Sequence, residues 1–189
     1  MKKKLNSGDR EARIYQDEVE AYNHYGKECP KCGAMGELVA HGKYQRHLVS
    51  YDGVVVCDTL VTVKRFKCKS CGSTHGLLPD ILIPYGVYSL RFKLYVLLVY
   101  FERSVTVAAI CETFGIVASL LYAWVKQFEE HKELLQGVLK SQTTTAVVFI
   151  REYLPVGYGV LQHFFTHFGF SFLQSRRKTA QTVPHRASG

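Results

Sequence analysis

The C-terminal part of this 189-residue chain has almost no acidic side chains. After Glu133 the only carboxylate is that of Glu152. A catalytic centre with two Mg²⁺ ions needs several carboxylates that converge on the metals, so this part of the chain cannot provide one. The sequence also lacks a glycine-rich phosphate loop and a serine nucleophile elbow. We therefore expect a protein that is not an enzyme.

Long apolar runs are also missing. The basic N-terminus is not followed by an apolar stretch, so we expect no signal peptide. Residues 153–175 carry no charged side chain and include five phenylalanines, but prolines, glycines, glutamines and histidines interrupt them. They are too polar and too broken for a membrane helix. Six cysteines without a secretory signal indicate a reducing compartment, and we expect a cytoplasmic protein without a membrane partner.

Four of the cysteines form two Cys-x-x-Cys pairs, Cys29 with Cys32 and Cys68 with Cys71, and a glycine follows each pair. Each pair can direct two thiolates at one ion, and four thiolates suit tetrahedral Zn²⁺ in a closed, structural site. The spacing predicts one structural zinc ion bound by these four residues. Two alternatives stay open at this point: redox or disulfide pairs, and a Cys₃His site in which His75 replaces one cysteine.

The residues between the two pairs have strand character. Residues 37–49 lead into the Asp52-Gly53 dipeptide, which is typical of a hairpin turn, and residues 54–66 after it are rich in β-branched side chains and partly alternating. A β-hairpin bracketed by two cysteine turns is the arrangement of a zinc ribbon. We predict a zinc ribbon over residues 27–78, preceded by a leader over residues 1–26 that can form a short helix.

A helix-turn-helix domain is predicted over residues 89–140, after a proline-containing linker at 79–88. Ser89 and Thr106 are candidate N-caps of two helices. Gly115 supplies the left-handed residue of the turn, and Leu121 and Trp124 are spaced to bury one face of the second helix. The resulting fold class is α+β: a small zinc ribbon, then an all-α helix-turn-helix domain and a C-terminal helix.

The opposite face of that second helix is where a recognition helix meets base edges and phosphates. Positive charge is concentrated elsewhere: residues 29–80 and 141–189 carry net charges of +3 and +4 out of +8 for the chain. Such charge fits a polyanionic partner. The predicted DNA contacts are Ala118, Ser119, Tyr122, Ala123 and Lys126 on the helix, Lys43, Arg46, Lys64, Arg65 and Lys67 on the ribbon, and Arg176, Arg177 and Lys178 in the tail.

Residues 141–174 form an aromatic C-terminal segment, for which we predict a helix from Gly159 to Phe168 that docks its aromatic face on the helix-turn-helix unit or on a second copy. Residues 175–189 form a basic tail, which we expect to be disordered when free.

The order of these parts resembles the N-terminal DNA-binding region of certain bacterial insertion-sequence transposases. It also resembles a bacterial family of short, stand-alone transposase-like proteins. The resemblance covers residues 27–130, and its most specific part is the Cys knuckles with the Arg65-Phe66 approach to the second pair. It implies a bacterial protein that binds the ends of a mobile element. The catalytic ribonuclease-H-like domain of such transposases needs three carboxylates, which the chain after Glu133 does not supply.

We therefore expect a non-catalytic, zinc-dependent protein that binds duplex DNA. A second hypothesis is a protein-interaction module, in which the ribbon and the aromatic segment dock on a transposase or another protein. A third is an RNA-binding ribbon that uses Tyr44 and Phe66. A homodimer is left open.

Overall fold

The structure is a computed structural model that describes residues 10–78, 82–139, 145–156, 164–165 and 167–175. Within these residues it contains a three-stranded antiparallel sheet and five helices, which confirms the predicted α+β class. In chain order the elements are α1 (Arg10–Ala21), β1 (Leu38–Tyr51), β2 (Val56–Cys68), β3 (Thr74–Gly76), α2 (Leu90–Glu102), α3 (Val107–Phe114), α4 (Ala118–Leu139) and α5 (Ala146–Val156).

Strands β1 and β2 form the predicted long hairpin, with Lys43 opposite Lys64 in the register. The Asp52 carboxylate closes the turn, because it accepts hydrogen bonds from the backbone N–H groups of Val54 and Val55 at 2.8 and 2.9 Å. A β-bulge interrupts the β1–β2 pairing between Ala40 and Gly42. Strand β3 pairs with the end of β2 and was not predicted, since three residues are too few for a recognisable alternation.

Helix α1 covers part of the hairpin and confirms a helix in the predicted leader. Ala12, Tyr15 and Val19 lie on one side of α1 and are completely buried against the sheet. The Tyr15 hydroxyl donates to the Thr62 carbonyl at 3.3 Å. Residues 1–9 of the leader lie outside the described residues. The ribbon therefore rests on a helix that precedes its first cysteine.

The joint between ribbon and helices is packed against both of them. Leu82 and Ile83 are buried, one in the core under the hairpin and the other in the helical core. The backbone of Val49 in β1 donates to Val87 at 2.7 Å and accepts from Ser89 at 2.8 Å. Residues 79–81 of the predicted linker lie outside the described residues. The joint thus ties the end of β1 to the start of α2 by main-chain hydrogen bonds.

Helices α2 to α4 form the predicted helical unit. The Ser89 hydroxyl accepts from the Phe92 N–H at 3.0 Å, and the Thr106 hydroxyl accepts from the Ala109 N–H at 3.2 Å, so both predicted N-caps are confirmed. Helix α4 is a single helix of 22 residues. Its buried side chains join α2 and α3 in the main core, which includes Phe92, Val96, Leu97, Ile110, Phe114, Leu121, Trp124 and Phe128.

Aromatic residues of the C-terminal segment complete this core. Phe164 and Phe172 are buried, and the Phe128 ring lies edge-on to those of Phe149 and Phe172. Helix α5 lies earlier in the segment than the helix expected from Gly159 to Phe168. Of that stretch the structure describes only residues 164, 165, 167 and 168, all of them helical. Residues 176–189, the larger part of the predicted basic tail, lie outside the described residues.

None of the described helices is by itself long and apolar enough to cross a membrane. Helices α3 and α4 reach the required length and hydropathy only together, and they meet at 102°.

Candidate metal centre and helix-turn-helix face

The two cysteine pairs lie on turns of the same geometry. In each turn the carbonyl of the first cysteine accepts from the glycine N–H four residues later, at 3.0 Å from Gly33 to Cys29 and 2.9 Å from Gly72 to Cys68. The φ angles of these glycines are 74° and 72°, in the left-handed region where a side chain is unfavourable. The repeated Cys-x-x-Cys-Gly motif therefore encodes one turn twice.

The hairpin brings the two turns together. All four cysteine sulfurs lie within 4.8 Å of one another, and the Cys29–Cys71 and Cys32–Cys68 sulfur pairs are each 3.8 Å apart. Four sulfurs at about 2.3 Å from a central Zn²⁺ form a tetrahedron with edges of about 3.8 Å. A disulfide would need about 2.05 Å. The four predicted ligands thus fit one tetrahedral metal ion, and the spacing does not fit disulfide pairs.

The electrostatics of the four thiols also suit a cation. The side-chain hydroxyl and the backbone N–H of Ser73 lower the pKa of Cys71 to about 6. The hydrogen bond from the Ala34 backbone is the largest single effect on the pKa of Cys32, and it lowers the pKa. Burial and the neighbouring sulfurs together outweigh this bond and raise the pKa of Cys32 to about 11. The Cys32 thiol therefore resists ionisation beside the neighbouring sulfurs, and a divalent cation that binds its thiolate removes this obstacle.

His75 lies beside the sulfur cluster. Its Nε2 atom is 3.4 Å from the Cys29 sulfur, and β3 places it opposite Phe66 in the register. The four sulfurs already form a tetrahedron, so the geometry favours a Cys₄ set with His75 hydrogen-bonded to one ligand. Ser73 was not predicted from the sequence, although its position two residues after Cys71 was an available signal. Cys57 and Cys111 are half-buried and do not belong to the cluster.

The geometry of α3 and α4 is that of a helix-turn-helix. A helix-turn-helix joins two helices at about 90–120° through a turn of three or four residues, and here the angle is 102° with three residues between the helices. Gly115 has φ 62° as predicted, and Ile116 is buried beneath the turn. Leu121 and Trp124 are buried as well, so their predicted inward orientation is confirmed.

The predicted contact residues of α4 share one exposed face. Ala118, Ser119, Tyr122, Ala123 and Lys126 are all exposed. The Tyr122 side chain is 51% exposed, although its ring meets the Tyr100 ring edge-on at 6.3 Å. Farther along α4 the exposed positions turn acidic at Glu129, Glu130 and Glu133, which would repel phosphates. The exposed face without carboxylates is therefore confined to the first nine residues of α4.

The cations of the hairpin fall into two groups. Lys43, Arg65 and Lys67 are exposed. The Arg46 guanidinium donates to the carbonyls of Ile83 and Gly86, and the Lys64 ammonium donates to the Val19 carbonyl at 2.8 Å, so both of these side chains also hold the fold together. The predicted phosphate contacts Arg176, Arg177 and Lys178 lie outside the described residues.

Two family models match parts of the chain. Residues 29–106 match a domain of unknown function, DUF6431, and residues 87–146 match a helix-turn-helix model described as transposase. The second match covers α2, α3 and α4 and supports a transposase-like helix-turn-helix region. The first covers the Cys cluster and the joint to α2 without naming a zinc ribbon. No curated protein and no solved structure matches the chain.

Proposed function

We propose that the chain is a non-catalytic, DNA-binding protein of transposase origin, which contacts duplex DNA through α4 and needs one structural zinc ion. The observation that carries the proposal is the exposed face of α4 inside the region that matches the transposase helix-turn-helix model. The scarcity of carboxylates after Glu133 supports the non-catalytic part.

The contact face has suitable dimensions and chemistry. Nine helical residues extend about 13 Å, which matches a major groove about 12 Å wide. The hydroxyls of Ser119 and Tyr122 can donate to base edges or accept from them, and the small Ala123 side chain permits close approach and contact with a thymine methyl group. Lys126 would bind a phosphate.

The zinc ribbon would add a second, electrostatic contact. A metal ion bound by the four cysteines would hold the two knuckles together at the end of the hairpin, and Lys43, Arg65 and Lys67 are exposed along the strands that lead to this end. Such lysines and arginines attract the DNA backbone without reading sequence. Zinc therefore has a structural role here: it fixes the positions of these cations.

The proposal is tested by titrating zinc-loaded protein against random duplex DNA at low and moderate salt. We expect one zinc ion per chain and an affinity that falls steeply with salt. Lys126→Ala should reduce the salt slope by about one. Lys132→Ala is the matched control, because it removes the same charge from another side of α4 and should leave the slope unchanged.

Sequence preference separates the recognition helix from the other contacts. After selection of a preferred duplex, Ser119→Ala and Tyr122→Ala should relax preference at particular base pairs. Arg65→Ala should weaken binding to all duplexes alike. Equal losses on every duplex for all three variants would contradict the assignment of α4 as the recognition helix.

A protein-interaction module is the second candidate function, and the tip of the hairpin favours it. The Val54 side chain is 83% exposed, and the neighbouring Val55 and Val56 are exposed too. Contiguous exposed apolar side chains often mark contact sites for other proteins. If zinc-loaded protein shows no duplex affinity even at low salt, this candidate replaces the first.

A further inference from the structure

A stack of aromatic rings lies beside the first cysteine knuckle. The Tyr25 side chain is 78% exposed, and its ring stacks on that of His24 with centroids 4.3 Å apart and planes inclined by 30°. The His24 ring lies 4.9 Å from that of Phe66, which is buried with the cysteines. The stack thus begins in the ribbon core and ends in a tyrosine ring that is open to solvent on one face.

The backbone fixes this ring at the corner of a turn. The Lys27 N–H donates to the His24 carbonyl at 3.3 Å, which places Tyr25 and Gly26 at the two central positions. Gly26 has φ 70°, as the second central position of a type II turn requires. The Tyr25 N–H donates to the Asn23 side chain at 3.0 Å. The exposed ring is therefore held in place before any ligand arrives, which lowers the entropy cost of binding.

Cations surround the same end of the ribbon. Its exposed basic residues are Lys27, Lys31, Arg65, Lys67 and Lys69. The carboxylates of this end are those of Glu28 and Glu37, and a zinc ion with four thiolates carries a charge of about −2. Charge at this end is therefore close to balanced, and its long, exposed lysine and arginine side chains can contact phosphates while an aromatic ring contacts a base.

We propose that Tyr25 is a stacking platform for an unpaired base of single-stranded nucleic acid. Both faces of a paired base inside a duplex are covered by its neighbours, so away from duplex ends an open ring face can stack only on a base that has left the helix. Stacking on an aromatic side chain contributes about 1–3 kcal/mol per base and tolerates any base. The inference goes beyond the proposed function, because it uses neither α4 nor duplex DNA.

The test measures the binding of zinc-loaded protein to a fluorescent 12-nucleotide oligo-dT and to a 12-base-pair duplex at low salt. Tyr25→Ala should weaken oligo-dT binding by about 5- to 150-fold, the equivalent of about 1–3 kcal/mol, and change duplex binding less than twofold. Tyr25→Trp should retain oligo-dT binding and show quenching of the new indole by the stacked base. Tyr85→Ala is the matched control. The Tyr85 side chain is 77% exposed, much like that of Tyr25, but it lies in the joint before α2 and not beside the cysteine knuckle.

The two proposals fail in different ways. Weaker binding of the preferred duplex by Tyr122→Ala with unchanged oligo-dT binding supports two separate sites. Absence of duplex binding with intact, Tyr25-dependent oligo-dT binding would sink the proposed function alone. Three results would overturn the platform: no oligo-dT binding by the native protein, equal oligo-dT affinity of native protein and Tyr25→Ala, or equal losses of both ligands in Tyr25→Ala. Zinc content measured on each variant shows that the ribbon is intact.

Discussion

Lys93 offers the sharpest test of how the helical core is built. Its side chain is only 4% exposed, its ammonium donates to the Leu173 carbonyl at 3.0 Å, and it lies 5.2 Å from the centre of the Trp124 ring. Burial lowers the pKa of Lys93 from 10.5 to about 8. The lysine is therefore still protonated at pH 7, but its charge is held inside the protein at a cost.

The pKa values give the size of that cost. The difference between 10.5 and about 8 corresponds to about 3.4 kcal/mol at neutral pH, at about 1.36 kcal/mol per pH unit. Because the folded-state pKa is the lower one, the unfolded chain binds more protons between these values, and stability rises with pH across that window. The penalty is complete below pH 8 and disappears above pH 10.5. Between pH 7 and pH 10 it should fall by about 2.5 kcal/mol.

The assay is urea denaturation of zinc-loaded native protein and Lys93→Met at pH 7 and pH 10. Methionine keeps most of the side-chain volume but leaves the Leu173 carbonyl without this donor, which costs about 1–3 kcal/mol at either pH. We therefore predict the change with pH rather than the absolute difference. The free energy of unfolding of Lys93→Met relative to native protein should fall by about 2.5 kcal/mol from pH 7 to pH 10.

Other groups titrate in the same range, but they are common to both proteins and cancel in the difference. Lys126→Met is the matched control, because it removes an exposed lysine from α4 and should show no such dependence on pH. A stability difference between Lys93→Met and native protein that stays constant from pH 7 to pH 10 would refute the reasoning that the buried ammonium is costly.

Three further predictions concern the metal site, the turn and the core. Cys68→Ser should reduce zinc content well below one ion per chain, whereas Cys57→Ser should retain it; equal zinc in both variants, measured by metal analysis, would argue against the Cys₄ site. Gly115→Val should destabilise the protein by about 1–2 kcal/mol or more, because φ is 62° there. Gly137→Ala should stabilise it by about 1 kcal/mol, since the added Cβ meets nothing within 4 Å; denaturation midpoints that do not separate these two would contradict the turn assignment. Phe128→Ala should cost about 3–5 kcal/mol by leaving a cavity in the core, and a cost below about 1 kcal/mol would mean that Phe128 does not pack as described.

Features with local causes could be predicted from the sequence. The hairpin turn depends on Asp52 and its own neighbours, and the N-caps of α2 and α3 depend on a hydroxyl three residues before the bonded N–H. The left-handed Gly115 and the inward side of α4 follow from residue type and helical spacing in the same way. The four metal ligands could be predicted because the motif repeats the same turn.

Features that depend on distant contacts could not be predicted. Strand β3 is only three residues long and exists because β2 offers it an edge. Leu173 is held by two buried side chains from different helices, since Lys93 donates to its carbonyl and the His131 ring accepts from its N–H at 2.9 Å. The Tyr25 platform likewise depends on Phe66, 41 residues later in the chain, and neither residue has a local signal for the contact.

The hairpin also sets the distance between the cysteine knuckles and the helical unit. Its first strand has 14 residues, which corresponds to about 45 Å at about 3.3 Å per residue. The same distance along duplex DNA is about 13 base pairs at about 3.4 Å each. Because the Val49 backbone is hydrogen-bonded to the backbones of Val87 and Ser89, β1 joins the helical unit without a flexible spacer. If α4 and the ribbon contact one duplex as proposed and the hairpin lies along it, lengthening both strands by two residues should move the ribbon's contacts outward by about two base pairs and leave those of α4 unchanged.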